Sequence, residues 1–171
     1  VLDGVTRKEI WCYDVPWMDS GTGGGLSGVQ PIDDLTGDGT QDVVAWRGST
    51  IIRFSGADGS LAQFDVGESI AFLQPTKTGP GRAAILVGTE EGLAILDKDG
   101  NRFWESVYTD WSDAELGAVR VLNDLNQDGV SDLMMQFADR MIVARSAGTS
   151  PLGFETHLSI PARENMAFEF K

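Results

Sequence analysis

The sequence of 171 residues carries a formal charge of −13, is 42% apolar and contains a single cysteine. That acidity excludes nucleic acid as a partner, because binding it needs a basic surface, and no apolar run approaches the ~18–20 residues needed for membrane insertion by this segment. The lone Cys12 excludes an internal disulfide and reads as a small buried apolar residue, not a nucleophile.

In chain order, the opening residues Val1-Leu2-Asp3-Gly4 show no signal-peptide pattern and begin inside a hairpin pattern, so the chain reads as a segment cut from something longer. Residues 1–13 form a partial unit, whose Glu9-Ile10-Trp11 is echoed by Arg102-Phe103-Trp104. A long entry holding Trp11 and Trp17 follows. The glycine-rich stretch 20–28 lacks a Lys-Ser/Thr pair and a strand-to-helix context, so it reads as a flexible loop and not a phosphate cradle.

Residues 14–65 contain short apolar runs at 29–33, 42–47, 50–55 and 60–65, each bounded by turn residues and therefore strand-like. The last two are joined through Asp58-Gly59, a pair preferred where both central turn residues take positive φ. Residues 66–105 repeat the plan at 69–74, 83–88, 92–97 and 101–105, with Asp99-Gly100 as the matching turn. Asp58 and Asp99 are 41 residues apart, as are the second-strand starts Asp42 and Ala83, so the two units share a register. Residues 106–158 give a third unit at 117–123, 132–137 and 140–145, a turn through Ala147-Gly148 and a last strand near Phe154. Residues 159–171 supply a further partial unit, with a strand at 166–170.

Four-stranded units of this length cannot bury both of their faces alone and must stack. The predicted fold is all-β: a β-propeller fragment of about three four-stranded antiparallel blades with partial blades at the ends, in one repeat domain over 1–171. An open β-sandwich is the alternative.

The first and third units carry loops of one pattern, Asp34-Leu35-Thr36-Gly37-Asp38-Gly39-Thr40-Gln41-Asp42 and Asp124-Leu125-Asn126-Gln127-Asp128-Gly129-Val130-Ser131-Asp132. Side-chain oxygens fall at positions 1, 3, 5 and 9 (Asp34, Thr36, Asp38 and Asp42; Asp124, Asn126, Asp128 and Asp132), and the Gly at position 6 permits a sharp turn. The backbone carbonyl of position 7, Thr40 or Val130, completes an oxygen-only shell suited to Ca2+, giving two expected calcium sites. An EF-hand would need a Glu at position 12, where Ala45 and Met135 stand, and flanking helices. An ordinary Asx-rich turn is the competing reading. The middle unit has Thr76-Lys77-Thr78-Gly79-Pro80-Gly81-Arg82 at this corner, with no carboxylate. A Pro/Gly turn, with a basic side chain facing its neighbours, must hold it without calcium.

The nine-residue loops and the apolar strands after them resemble the calcium loops of FG-GAP repeats, the blades of integrin α-subunits and related propellers. Lys8–Asp14 resembles the blade-closing strand of quinoprotein propellers. Thr36 departs from the Asp or Asn usual at position 3, which implies a weaker first site, and the Phe-Gly…Gly-Ala-Pro signature is missing, as in a divergent, VCBS-like member. The resemblance implies that calcium is structural, on one rim, and that ligands use the opposite face.

The expected function is a calcium-stabilised module for protein or glycan binding or adhesion, with Trp17 and Trp111 as a possible ligand face. Either Trp also reads as tucked beneath its linker. Loops with few ligands suggest an affinity on the order of 10⁻⁴–10⁻³ M, which places the protein in an extracellular, cell-surface or periplasmic setting. The rest of a longer chain is expected to complete the propeller. Rival readings are the scaffold of a polysaccharide lyase, hydrolase or quinoprotein enzyme, using Asp110, Asp113 and Glu115 beside Trp111 or His157 as a base, and a structural spacer in a large surface protein.

Overall fold

Aliphatic residues alternating with polar ones build twelve strands and no helix among the described residues of the computed structural model, which are 5, 6, 8, 9, 12, 25–107, 116–149 and 152–161. The first sheet comprises β1 (Gly28–Ile32), β2 (Asp42–Arg47), β3 (Thr50–Phe54) and β4 (Leu61–Asp65). The second comprises β5 (Ile70–Lys77), β6 (Ala83–Thr89), β7 (Gly92–Leu96) and β8 (Arg102–Val107). The third comprises β9 (Leu116–Val121), β10 (Leu133–Phe137), β11 (Arg140–Thr149) and β12 (Leu152–Pro161). Each is an antiparallel meander in which sequence order is spatial order. These are three blades of a β-propeller. The partial unit expected at 1–13 lies outside the described residues except for 5, 6, 8, 9 and 12, and the strand expected at 166–170 lies wholly outside them.

The middle blade shows why the units must stack. Along β6 the side chains alternate between two cores: Ala84 and Leu86 join Leu133, Met135 and Ile142 of the third blade, while Ile85 and Val87 join Ile32, Val44 and Ile51 of the first. A strand buried on both faces loses the hydrophobic–polar alternation and becomes a continuous aliphatic run, as Ala83-Ala84-Ile85-Leu86-Val87 is. At the blade margin Trp104 of β8 meets Phe154 of β12 edge to face, with ring centroids 4.8 Å apart. The first strands of the blades pack along one side, β1 against β5 and β5 against β9. There the Gln74 amide of β5 stands in for a peptide unit of a neighbouring strand: Nε2 donates to Val119 O at 2.8 Å and Oε1 accepts from Val121 N at 3.1 Å.

Three local expectations are corrected. In the Asp58-Gly59 turn only Gly59 takes positive φ, at 72°. The loop is longer than a two-residue hairpin and is closed by Ser55 N to Ser60 O and Gly59 N to Ser55 O, so Asp58 needs no left-handed backbone. The turn expected at Ala147-Gly148 is instead strand: β11 continues to Thr149 through a register shift between Ser146 and Thr149, with Gly148 at φ 131°. Cys12 is exposed, not buried.

The turn after β7 is held by one carboxylate. Asp97 Oδ1 accepts from Asp99 N and Asn101 N, and Oδ2 accepts from Asn101 Nδ2, each at 2.8 Å. Partial burial pushes the Asp97 pKa up, but these bonds outweigh it and hold the group below its ordinary 3.8. A depressed folded pKa stabilises above 3.8 and loses that contribution as pH falls through the lower folded value. Asn101→Ala should therefore destabilise at neutral pH, and its deficit should fade in strong acid; urea unfolding across pH checks this. In the core, Leu86→Ala should cost about 3 kcal/mol in urea unfolding, whereas Val29→Ala, at an exposed position, should cost under about 0.5 kcal/mol.

Candidate metal loops

Both acidic loops join the first strand of a blade to the second, 34–42 between β1 and β2 and 124–132 between β9 and β10. Position 9 fixes their shape. Asp42 and Asp132 are each 0% exposed, a burial that carboxylates tolerate only when their oxygens are hydrogen-bonded. Asp42 Oδ2 accepts from Leu35 N and Thr36 N, both at 2.8 Å, and Oδ1 accepts from Gly56 N at 2.9 Å. Asp132 repeats the arrangement, with Oδ2 accepting from Leu125 N at 2.7 Å and Oδ1 from Ser146 N at 2.8 Å. Each closing carboxylate thus ties the start of its own loop to the far end of the hairpin's third strand.

Position 1 gathers the backbone of the turn. Asp34 accepts from Gly37 N at 2.6 Å, Asp38 N at 3.0 Å and Gly39 N at 2.7 Å; Asp124 accepts from Asp128 N at 3.1 Å and Gly129 N at 2.7 Å. The position-6 glycines have φ of 86° at Gly39 and 85° at Gly129, as the spacing predicts. A side chain at Gly129 would also collide with Pro80, 2.5 Å from an ideal Cβ.

Position 5 accepts locally as well. Asp38 Oδ1 takes Thr40 N at 2.8 Å and Oδ2 takes Thr36 Oγ1 at 2.7 Å and Ser55 Oγ at 2.8 Å; Asp128 Oδ1 takes Val130 N at 2.8 Å. The hydroxyl bonds, Thr36's first and then Ser55's, hold the exposed Asp38 carboxyl below its ordinary pKa. At position 3 of the second loop, Asn126 Nδ2 donates to Asp128 Oδ2 at 3.1 Å and Ser146 O at 2.9 Å. At position 7, Thr40 is exposed and Val130 is buried in the core with the middle blade.

Thr36, the departure at position 3, lies where the first loop's carboxylates meet. Its Oγ1 is 3.5 Å from Asp34 Oδ1, 2.7 Å from Asp38 Oδ2 and 3.4 Å from Asp42 Oδ1. One hydroxyl proton cannot satisfy three anionic oxygens at once. The donor set is hard and oxygen-only, and a carboxylate offers about four lone-pair sites, so oxygens already bonded to N–H groups keep capacity for a cation. In chemistry and in their sharing of one hydroxyl, these residues fit Ca2+. Among the described residues no trio of acidic, His or Cys side chains is arranged as a finished metal site, so binding requires side chains of the loop to turn.

The carboxylate-free corner of the middle blade is docked onto its neighbours instead. Lys77 Nζ lies 2.8 Å from Asp33 Oδ2 of the first blade. On the other side, Ser131 N donates to Lys77 O at 3.0 Å, Lys77 N donates to Ser131 Oγ at 3.2 Å, and Thr78 forms a β-bridge with Val130. Sequence reasoning found the loop carboxylates but missed Ser55, Gly56 and Ser146, their partners across the hairpin. A signal was available: Gly56 and Ser146 stand 90 residues apart, as do Asp42 and Asp132.

Trp17, Trp111, Asp110, Asp113 and Glu115 lie outside the described residues. His157 lies on β12, exposed, and contacts the Arg145 guanidinium of β11.

No family model matches the sequence, and no curated protein matches it. Among solved structures the chain is similar to BBS1N in complex with ARL6DN, in crystals soaked with lead (TM-score 0.55) and with mercury (TM-score 0.59), at 14% identity in each case. The matches cover 77% and 80% of this chain but only 44% and 46% of the others, so the chain spans less than half the length of those propellers. The likeness shows the fold. It also corrects the expected extracellular, cell-surface or periplasmic address, since these neighbours point away from such a setting. The physical premise was weak too: backbone N–H groups already brace both corners, so weak calcium binding does not specify a compartment.

Asp42→Ala should strand three backbone donors and cost about 3 kcal/mol in urea unfolding, while Asp42→Asn, which keeps one acceptor oxygen, should cost less.

Proposed function

We propose that the chain is a calcium-stabilised segment of a β-propeller that serves to bind a protein partner, and that its acidic loops are divergent relatives of FG-GAP and VCBS calcium loops. The observation that carries the metal half is the meeting of Asp34, Asp38 and Asp42 around Thr36 Oγ1. Asp34, Thr36, Asp38 and Asp42 would hold one ion, and Asp124, Asn126, Asp128 and Asp132 the other, with carbonyls of Thr40 and Val130 as further candidates. The ion supplies positive charge where several carboxylates crowd a short loop, and so acts on stability and not on a reaction. Two ions would lower the formal charge from −13 to −9.

Protein binding is supported by the propeller likeness to BBS1N, which was crystallised with a protein, ARL6DN. A groove of about 920 Å3 along the first strands, lined in part by Gln30, Gln74, Arg120 and Asp124, offers mixed polar chemistry of the kind a protein surface matches. The glycan reading rests on Trp17 and Trp111 alone.

Titration of EDTA against the calcium-loaded chain should lower Tm by about 5 °C. Asp34→Asn and Asp124→Asn should each remove part of that shift, with calorimetry falling from two calcium sites to one. A Tm indifferent to both calcium and chelator would remove the metal from the proposal. Binding of a protein partner by the immobilised chain, competed by soluble chain, tests the other half.

A further inference from the structure

A shift of 90 residues lays the first blade on the third, matching Leu35 with Leu125, Val44 with Met134 and Ile51 with Met141. In the first blade these side chains are closed off. Leu35, only 6% exposed, and the buried Val44 and Ile51 pack with Ile70, Leu73, Ile85 and Val87 of the middle blade. In the third blade the same side is open: Leu125 is 51% exposed and Met134 and Met141 are half-buried. Gln136 stands where the first blade has Trp46, and Arg120, paired with Met134 across the sheet, lies on the same side, so this surface carries an amide and a guanidinium among its apolar residues.

The two ends of the array differ. At the opposite end, Ala45, Ile52 and Phe54 on the outward side of the first blade are already buried, with Leu26 and Val43 against them. A second copy of the chain therefore cannot add head to tail there, and would meet the open side only through its own third blade. The matched propeller chains are also more than twice the length of the segment they share with this one.

We infer that the open side of the third blade seats another four-stranded antiparallel blade, of the carboxylate-free kind, through an aliphatic surface like that of β5–β7. The first interface, between blades one and two, is the template: a loop leucine and two strand residues pressed against an Ile/Leu/Val sheet. The array thus alternates between acidic-loop and carboxylate-free blades, and the contact does not depend on bound metal. The amide of Gln136 and the guanidinium of Arg120 are polar groups that such a blade has to accommodate.

The inference is tested by fusing a second copy of residues 66–107 after Lys171 and comparing fused and unfused chains by thermal unfolding and by fluorescence of an apolar-surface dye. The fusion should halve dye fluorescence and raise Tm by about 5 °C. Leu125→Ser should abolish most of that gain in the fusion and leave Tm of the unfused chain within about 1 °C, because Leu125 is exposed there; Met141→Thr provides a second variant on the strand. A fusion that changes neither reading overturns the inference. So does an unfused chain that sediments as a dimer and is made monomeric by Leu125→Ser, which would name a second copy as the occupant. A rise in dye fluorescence on deleting residues 162–171 would name that segment instead, and would equally overturn it.

Discussion

The structure depends on a carboxylate placed where carboxylates are rarely found, fully buried at the start of a blade's second strand. Asp42 and Asp132 are stable there because each meets backbone N–H groups from two separate pieces of chain, its own loop and the end of the third strand. Asparagine, neutral and of the same size, would satisfy only one of the two and turn its own N–H groups toward the donors of the other. The corner is therefore set by the chain's own amides. A cation in the loop would add to that order and relieve repulsion among the outer carboxylates.

The middle blade reaches the same end without acidic residues. Its corner borrows partners from both neighbours, an ion pair with Asp33 on one side and backbone pairing with Val130 and Ser131 on the other. Exposed ion pairs contribute little, about 0–1 kcal/mol, so the pairing with the third blade is the stronger restraint. The second acidic loop thus does two jobs: it shapes its own blade and forms the socket for the turn before it, with Gly129 leaving room for Pro80.

Much of this was legible in the sequence, because blades repeat and each strand carries its burial as a period of two or, in β6, as an unbroken aliphatic run. The nine-residue loops were equally visible, since oxygen-bearing side chains at alternate positions form a local pattern. Hidden were contacts between residues far apart in the chain. Nothing local marks Gly56 or Ser146 as the partner of a buried Asp, or Lys77 as the partner of Asp33. The Ala147-Gly148 pair misled for a related reason: glycine serves bulges as well as turns, and only the pairing partner across the sheet distinguishes them. The Asp58-Gly59 pair suggested a tighter hairpin than exists, because loop length is set by where Ser55 and Ser60 close it.

The side chain of Gln74 has a consequence of a different kind. It offers β9 a donor and an acceptor from one planar group, in the spacing of a peptide bond. Glutamate would lose the donor, leucine would lose both, and asparagine has the chemistry without the reach. Evolution at this site therefore has almost no neutral neighbours to step to, although a glutamine in a strand looks like one of the most replaceable letters in the sequence.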